Sequence, residues 1–420
     1  MIAGTHGLSV RYRLSFWPCG RSSGSIRFIT MSAARPTEAV ERSTLLVTRN
    51  LPPLRGGMER LNLELARALQ GDGLAVVGPR GCEAELPHGV PITALPLQPL
   101  AGFFARALVA SLRGAFRHRP RMVLAGSGLC APFAWLAARA TGARCAVYLH
   151  GLDIIADSFI YRRAWLPFIR RCDVCLTNSA NTSALAIRAG IEAQRIQIVH
   201  PGVDAACDVL HAEDAAAFRS AHALEGRVVL LSVGRLTERK GLLPFVNDVL
   251  PVLVRTHPQS MLVVIGNDAP DALRRSAHSV REAVEARVLA LGLQGHVMFL
   301  GEVDDAELAR AYGAADLAIF PVRAMQGDVE GFGMVAMEAA AHGLPTVAYA
   351  VGGVPDAVAD GISGRLVDEG DAVAMADAIR DVIDAGRHVW NSRCRAFAMQ
   401  FDWSIFAIRV RRALGIGAAT

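Results

Sequence analysis

Two basic residues and two acids are the side chains in this sequence best placed to do chemistry together. Arg235 and Lys240 lie five apart on a loop that follows an apolar run, Ser232-Val233-Gly234, and leads into a helical pattern. Two cations beside a helix N-terminus suit an anion such as a diphosphate, and they suit it better as a bond to that diphosphate breaks and its charge grows. Lys240 is the only lysine in the chain; every other one of the 44 strong bases is arginine. A bias toward arginine explains the arginines but not the one exception, so that position requires a compact ammonium rather than a planar guanidinium. Glu330 and Glu338 flank the segment Gly331-Phe332-Gly333-Met334-Val335-Ala336-Met337. Glu330 sits among glycines in a loop and is expected to present its carboxylate. A helix starting near Gly333 puts Glu338 about one turn inside, and helical side chains lean toward the N-terminus, so both acids can reach one ligand. A third loop, Arg55-Gly56-Gly57-Met58-Glu59, opens a helix in the first half of the chain. Paired glycines let main-chain N–H groups approach an anion, and they serve equally as a plain turn. The loop is not a G-x-G-x-x-G, so a nicotinamide cofactor is not suggested.

The elements that must position these loops alternate along the whole chain. Short apolar runs fall at 44–48, 74–78, 122–125, 145–149, 174–178 and 196–200, then at 228–233, 261–266, 297–300, 317–320 and 346–349. Amphipathic stretches lie between them, as at 59–69, 131–140 and 307–312. Near-continuous apolar strands alternating with helices predict parallel sheets covered on both faces. Two such series predict an α/β protein of two doubly wound, Rossmann-like domains facing across a cleft. The boundary is expected between Asp204 and Arg227, where the alternation breaks. The domains then run over 43–210 and 225–400, with a helix at 401–420 that could pack back on the first domain. In such sheets ligands sit outside the carboxyl ends of the strands, and the loops singled out above all lie there.

Charge is shared unevenly. Residues 1–205 hold 24 Arg against 12 Asp and Glu, whereas the remainder is acidic. Drift in surface composition is one reading. The other is that the first half faces something anionic, such as a phospholipid surface or a lipid-phosphate acceptor. Mixed apolar and basic stretches at 103–119 and 161–171 fit an anionic bilayer or, equally, ordinary helices with arginines outside. No apolar run reaches the ~18–20 residues of a spanning helix. The eight cysteines are scattered, and Cys172-x-x-Cys175 has no second pair or histidine at zinc spacing. They read as core thiols in a reducing cytoplasm. Residues 1–42 carry Arg11, Arg13, Arg21, Arg27 and Arg35 with no acid before Glu38, and are expected to be a disordered extension, a transit peptide, or an upstream start with Met31 as the real one. No nucleic-acid-binding motif accompanies the basic half.

In order and spacing these residues resemble glycosyltransferase family 4, retaining enzymes of GT-B fold such as bacterial mannosyl- and glycosyltransferases of cell-envelope glycan assembly. The resemblance runs from about residue 44 to about residue 400. It rests on the Gly-Gly loop, His150-Gly151-Leu152-Asp153, Asn178-Ser179, Pro201-Gly202-Val203-Asp204, the Arg235/Lys240 pair, Gly301, Ala315-Asp316, the Glu330–Glu338 segment and Gly352-Gly353-Val354-Pro355. It implies a nucleotide-sugar donor, GDP-mannose or a UDP-hexose, and a glycan or lipid-linked acceptor, with peripheral membrane contact. It implies that Arg235 and Lys240 bind the diphosphate while Gly57 closes from the other domain. Glu330 and His150 would face the sugar from opposite sides. The backbone of Phe332, Gly333, Met334 and Val335 would contact sugar and phosphate, and Glu338 the ribose. Gly266 and the loop from Gly301 to Val303 would flank the base. No Asp-x-Asp metal motif accompanies these residues, so neither a metal nor another cofactor is expected. Two departures stand out: His200 precedes Pro201, and Gly266-Asn267-Asp268 replaces the commoner G-x-G. The second leaves UDP against GDP open. Two other classes fit the architecture, a nucleotide-sugar epimerase of GT-B shape and a catalytically silent binding subunit. The first lacks the Glu330–Glu338 pattern, and the second is at odds with four intact polar residues.

Overall fold

A computed structural model describes residues 44–156, 158–206, 212–268 and 279–417. The expectation for residues 1–42 lies outside them. Seven strands form the first sheet: β1 (Thr44–Val47), β2 (Ala75–Pro79), β3 (Ile92–Leu95), β4 (Met122–Ala125), β5 (Arg144–Leu149), β6 (Val174–Thr177) and β7 (Ile196–Ile198). Their order is β3-β2-β1-β4-β5-β6-β7. Six form the second: β8 (Val228–Val233), β9 (Ser260–Ile265), β10 (Val297–Gly301), β11 (Leu317–Phe320), β12 (Thr346–Tyr349) and β13 (Gly364–Val367), in the order β10-β9-β8-β11-β12-β13. Every pairing is parallel. The central strands are buried on both faces, which is why they read as unbroken apolar runs.

Two strands escape that reading, β3 and β13, and both are sheet edges. An edge strand has a partner on one side only and is partly open to solvent. Ile-Thr-Ala-Leu and Gly-Arg-Leu-Val accordingly carry polar or small residues and are only partly buried.

Strand order reverses at β1/β4 in the first sheet and at β8/β11 in the second. These are the switch points where adjacent loops diverge and leave a crevice. The loops after β1, β4 and β5 and those after β8, β11 and β12 therefore converge on one region, and the polar residues of interest lie on them or in the helices they open.

The chain passes between the halves twice. Leaving the first sheet through His200-Pro201-Gly202-Val203, it returns after the second through Phe401 and Asp402 into the helix Trp403–Leu414. The two crossings pair: the Val203 N–H donates to the Phe401 carbonyl at 2.8 Å, and Val203 and Asp402 form a parallel bridge. The returning helix lies against the helix Gly57–Leu69. Its Phe406, Val410 and Leu414 are buried in the same apolar cluster as Leu61, Leu65 and Leu69, and Arg411 pairs with Asp72. The Cys172 and Cys175 thiols are buried at the start of β6, with Cys172 Sγ 3.5 Å from Cys145 Sγ.

Because Phe406 is fully buried among apolar residues of the first half, Phe406→Ala is expected to lower unfolding stability by about 3–5 kcal/mol. Denaturant melts of the full chain measure this, and a loss below ~1 kcal/mol would show that the returning helix is an accessory.

Candidate functional site

The site in the second half begins where β8 ends. Gly234 and Gly266, at the ends of β8 and β9, both have positive φ, and a Cβ on Gly266 would overlap the Gly234 carbonyl. The two loops can lie this close only because Gly266 has no side chain. The chain then turns through Arg235 and Leu236 to a short turn, Glu238–Lys240, that delivers Arg239 and Lys240 to the carboxyl end of β11. The Gly241 φ of 70° and its close approach to the Pro321 carbonyl fix the turn there.

At that point two cations meet one carboxylate. Lys240 Nζ lies 2.9 Å from Glu330 Oε2, Arg239 Nη1 pairs with the same oxygen, and Arg239 Nε lies 3.0 Å from Asp328 Oδ1. Lys240 Nζ also sits 4.6 Å from the centre of the Phe320 ring, a cation–π position for a compact charge. Burial pushes the Glu330 carboxyl up, but Lys240 and Arg239 outweigh it and hold the group at about 2. Burial draws the Lys240 ammonium below its ordinary value, with Glu330 opposing. Glu330 is thus not presented to solvent as its glycine-flanked loop suggests; its side chain is 13% exposed. The physical reason is that buried cations take the nearest anion.

The helix Met334–Ala341 starts at Gly333, whose φ is 109°. Its free N–H groups face the same region as Glu330. Glu338 is in its second turn and accepts from Arg60 Nη1 at 2.9 Å and from the Tyr312 hydroxyl at 3.2 Å. Burial pushes its carboxyl up, with Arg60 and Tyr312 opposing. Arg60 belongs to the helix Gly57–Leu69 of the other half, and its guanidinium lies 5.9 Å from the Trp403 ring centre.

The halves meet at glycines. A Cβ on Gly331 would overlap the His150 carbonyl, one on Gly151 would lie 3.0 Å from Val329, and one on Gly57 would lie 3.1 Å from Met334 Sδ. Gly352 and Gly353 support the Glu330 loop from behind, with the Gly353 N–H donating to the Glu330 carbonyl at 2.9 Å. His150 is buried, at 8% exposure. Its Nε2 donates to the Gly126 carbonyl at 3.0 Å and its N–H to Asp153 Oδ2 at 2.9 Å. Glu330, Lys240, Gly331, His150, Gly57 and the start of the Met334–Ala341 helix are therefore neighbours.

Other residues singled out in the sequence are placed differently. Arg235 is exposed, and among the described residues its side chain makes no hydrogen bond or ion pair. Phe332 turns into the core against His200 and Phe401, leaving only its main chain toward the cleft. Val303 and Val335 pack onto apolar clusters. Gly266 donates its N–H to the Gly301 carbonyl at 2.7 Å, so these two loops adjoin. Sequence reasoning missed Arg239 and Arg60. In a chain with one lysine and many arginines, neither arginine carries a signal of its own.

The sequence model described as "Glycosyl transferases group 1" matches residues 214–396, and that described as "Glycosyltransferase Family 4" matches residues 55–206. The D-inositol 3-phosphate glycosyltransferase of Mycolicibacterium smegmatis is 36% identical over 211 residues, which are 50% of this chain and 45% of that one. The chain thus aligns with about half the length of this and similar mycobacterial relatives. The protein of that name from Geodermatophilus obscurus is 30% identical over 409 residues, 88% of each chain. Among solved structures, Anabaena Alr3699/HepE in complex with UDP superposes with a TM-score of 0.74 at 22% identity, covering 89% of this chain and 99% of that one. WaaG, a glycosyltransferase involved in lipopolysaccharide biosynthesis, gives 0.64 at 20% identity over 90% and 100%.

The Glu330 pairing fixes a pH dependence. A carboxyl held at about 2 against an ordinary 4.5 adds stability above pH 4.5, and that stability is lost as pH falls toward 2. Glu330→Gln leaves the two cations without their shared anion and is expected to cost about 3 kcal/mol at neutral pH. The gap to wild type should close between pH 4.5 and 2 as the wild-type carboxylate protonates. Melting curves across that range measure it; a constant gap would show that the pair does not govern the acid limb.

Proposed function

The chain belongs to the GT-B glycosyltransferases, and on that premise we propose that it moves a hexosyl group from a nucleotide-diphosphate sugar to an anionic acceptor, glycan or lipid-linked, with retention and without a metal. The observation that carries the donor half is the pair of cations on Glu330 at the second sheet's switch point, beside a helix N-terminus. The UDP complex of the Anabaena neighbour lends support to a uridine donor.

In this reading the donor diphosphate takes Lys240 from Glu330, with Arg235 added from its exposed position and the N–H groups at Gly333, Met334 and Val335 on the far side. Arg239 remains on Glu330 and Asp328, so the carboxylate stays ionised and faces the sugar. Glu338 exchanges Arg60 for the ribose hydroxyls. Gly57 closes over the phosphates, and Gly266 and the loop to Val303 border the base. Departure of the diphosphate concentrates negative charge where these donors are fixed, which stabilises the transition state more than the ground state. The acceptor hydroxyl attacks from the face the diphosphate leaves, and a phosphate oxygen takes its proton. The bond from anomeric carbon to phosphate oxygen breaks as the bond to the acceptor oxygen forms. His150 lines the opposite wall, and closure of the glycine contacts excludes water from the reactive sugar.

The first half is the acceptor side of this scheme. Its excess of arginine and the relatives' names, which specify an inositol phosphate, both favour an acceptor that carries phosphate. Among the described residues no helix is long and apolar enough to cross a membrane. Peripheral contact is supported by the helix Leu100–His118, which exposes Arg106, Val109, Arg113, Phe116 and Arg117, and by Phe159 and Ile160 at 81% and 69% exposure. Flotation with phosphatidylglycerol vesicles should recover the protein and should fail for Phe159→Asp; equal recovery of both proteins removes the membrane contact.

Calorimetry with UDP and with GDP in chelator tests the donor site. One nucleotide should bind, and Lys240→Ala should weaken it, with transfer falling by ~10²–10³. Lys240→Arg should fall nearly as far because a planar fork does not replace a point charge over Phe320. Binding of neither nucleotide to folded protein would sink the reading.

A further inference from the structure

The helix Met334–Ala341 is apolar but for one residue: Met, Val and Ala fill every position except Glu338. A carboxylate on such a helix, with its side chain 19% exposed, is costly unless its oxygens are matched. The two oxygens are matched by different parts of the molecule. Oε1 accepts from Arg60 Nη1 at 2.9 Å, and Arg60 belongs to the first half. Oε2 accepts from the Tyr312 hydroxyl at 3.2 Å, and Tyr312 belongs to the second half, on the helix Asp305–Ala314. A displacement of one half against the other would break the first contact and spare the second.

Tyr312 is fixed more firmly than one hydrogen bond requires. It is buried in the apolar cluster that holds Leu231, Ala318 and Ala339. Its ring stacks on that of His342, with centres 5.1 Å apart and planes at 12°. His342 follows Glu338 by four residues, so the tyrosine ring and its hydroxyl run along one face of the same helix. Burial, then Arg395 and Arg387, draw the His342 imidazole down to about 4, so the ring beneath the tyrosine is neutral at neutral pH. Burial and, after it, Glu338 push the Tyr312 hydroxyl well above its ordinary range, so it stays protonated and serves the carboxylate as a donor. Glu338 is its hydrogen-bond partner among the described residues. A phenylalanine would fill the same space with no oxygen to satisfy, so packing alone does not account for the hydroxyl.

We propose that Tyr312 is a positioning residue: its hydroxyl pins Oε2 of Glu338, so that Oε1, once Arg60 leaves it, is aimed at the ribose hydroxyls of the donor. The inference rests on the glycosyltransfer reading, in which Glu338 receives the ribose, and adds to it the group that sets the carboxylate's direction. Which half each partner belongs to decides its part. Arg60 is the partner that is exchanged, and Tyr312 is the partner that stays. A carboxylate held at one oxygen presents the lone pairs of the other in a fixed direction, and a sugar without hydroxyls leaves that oxygen facing nothing. Tyr312 thereby sharpens the distinction between ribose and deoxyribose without itself contacting the sugar.

Calorimetry on the full chain compares UDP or GDP, whichever binds, with the 2′,3′-dideoxy form of the same nucleotide. Wild type should prefer the ribose form by about tenfold or more, the loss expected where a hydroxyl no longer meets a charged acceptor. Tyr312→Phe removes one oxygen at nearly constant volume. It should weaken the ribose form about tenfold, leave the dideoxy form within about twofold of wild type, and so bring the ratio close to unity. A purely structural role would weaken both forms alike, because packing does not depend on which ligand is offered. Tyr312→Met also lacks the hydroxyl and fits without a rigid ring, so it keeps the test open should Tyr312→Phe fail to fold; its ratio should fall in the same way. A ratio unchanged from wild type in either folded variant, or equal weakening of both forms, overturns the positioning role while nucleotide binding stands. A wild type that binds both forms equally overturns it too, since no ribose contact is then left to position. Failure of wild type to bind either UDP or GDP instead strikes the donor reading beneath it.

Discussion

A largely buried carboxylate shared between two cations constrains everything around it. Neither Lys240 nor Arg239 can sit at the carboxyl end of β11 without an anion, and Glu330 cannot stay ionised there without them. Asp328 also engages Arg239, so that guanidinium is held by two carboxylates and Lys240 by one. Lys240 is therefore the cation free to change partners without leaving Glu330 bare. The same logic applies at Glu338, where Arg60 from the opposite half stands in for whatever else that carboxylate can bind. In the proposed scheme these internal ion pairs hold the site in shape, and the donor enters by exchange with them.

Those exchanges depend on close approach of the main chain, and glycine is the means. Gly331 against the His150 carbonyl, Gly266 against Gly234 and Gly353 against Gly331 are positions where a single methyl group would push two backbones apart. The loops gain proximity at the cost of intrinsic stiffness, and stiffness is restored by main-chain hydrogen bonds such as that from Gly353 to Glu330. Transfer by the proposed route therefore relies on backbone fit as much as on side-chain charge.

Much of this was legible from the sequence because buried parallel strands have a plain signature. Eleven apolar runs correspond to the strands that lie inside the sheets and to the edges β7 and β10. The edges β3 and β13 were invisible because one open side permits polar and small residues. Glu330, Glu338, Lys240 and the glycines could be read because their types are restricted by geometry and charge. Arg239 and Arg60 could not, since arginine is the default base of this chain and only three-dimensional partners distinguish one from another. The exposure of Glu330 was misjudged for a related reason: loop position indicates where a residue is, but not which cation it will meet.

The two crossings between the halves, hydrogen-bonded to each other at Val203 and Phe401, have a mechanical consequence. A single covalent strand would act as a swivel and let one half twist and drift freely against the other. Two strands tied side by side act as a spine, resisting twist and leaving bending about their common line as the soft motion. Gly202 lies so close to the Trp403 ring that even a Cβ would not fit, so the spine is thin where it flexes. Movement of the halves is thereby reduced to nearly one coordinate, along which Gly57 meets Met334, Gly331 meets His150 and Arg60 meets Glu338 in register.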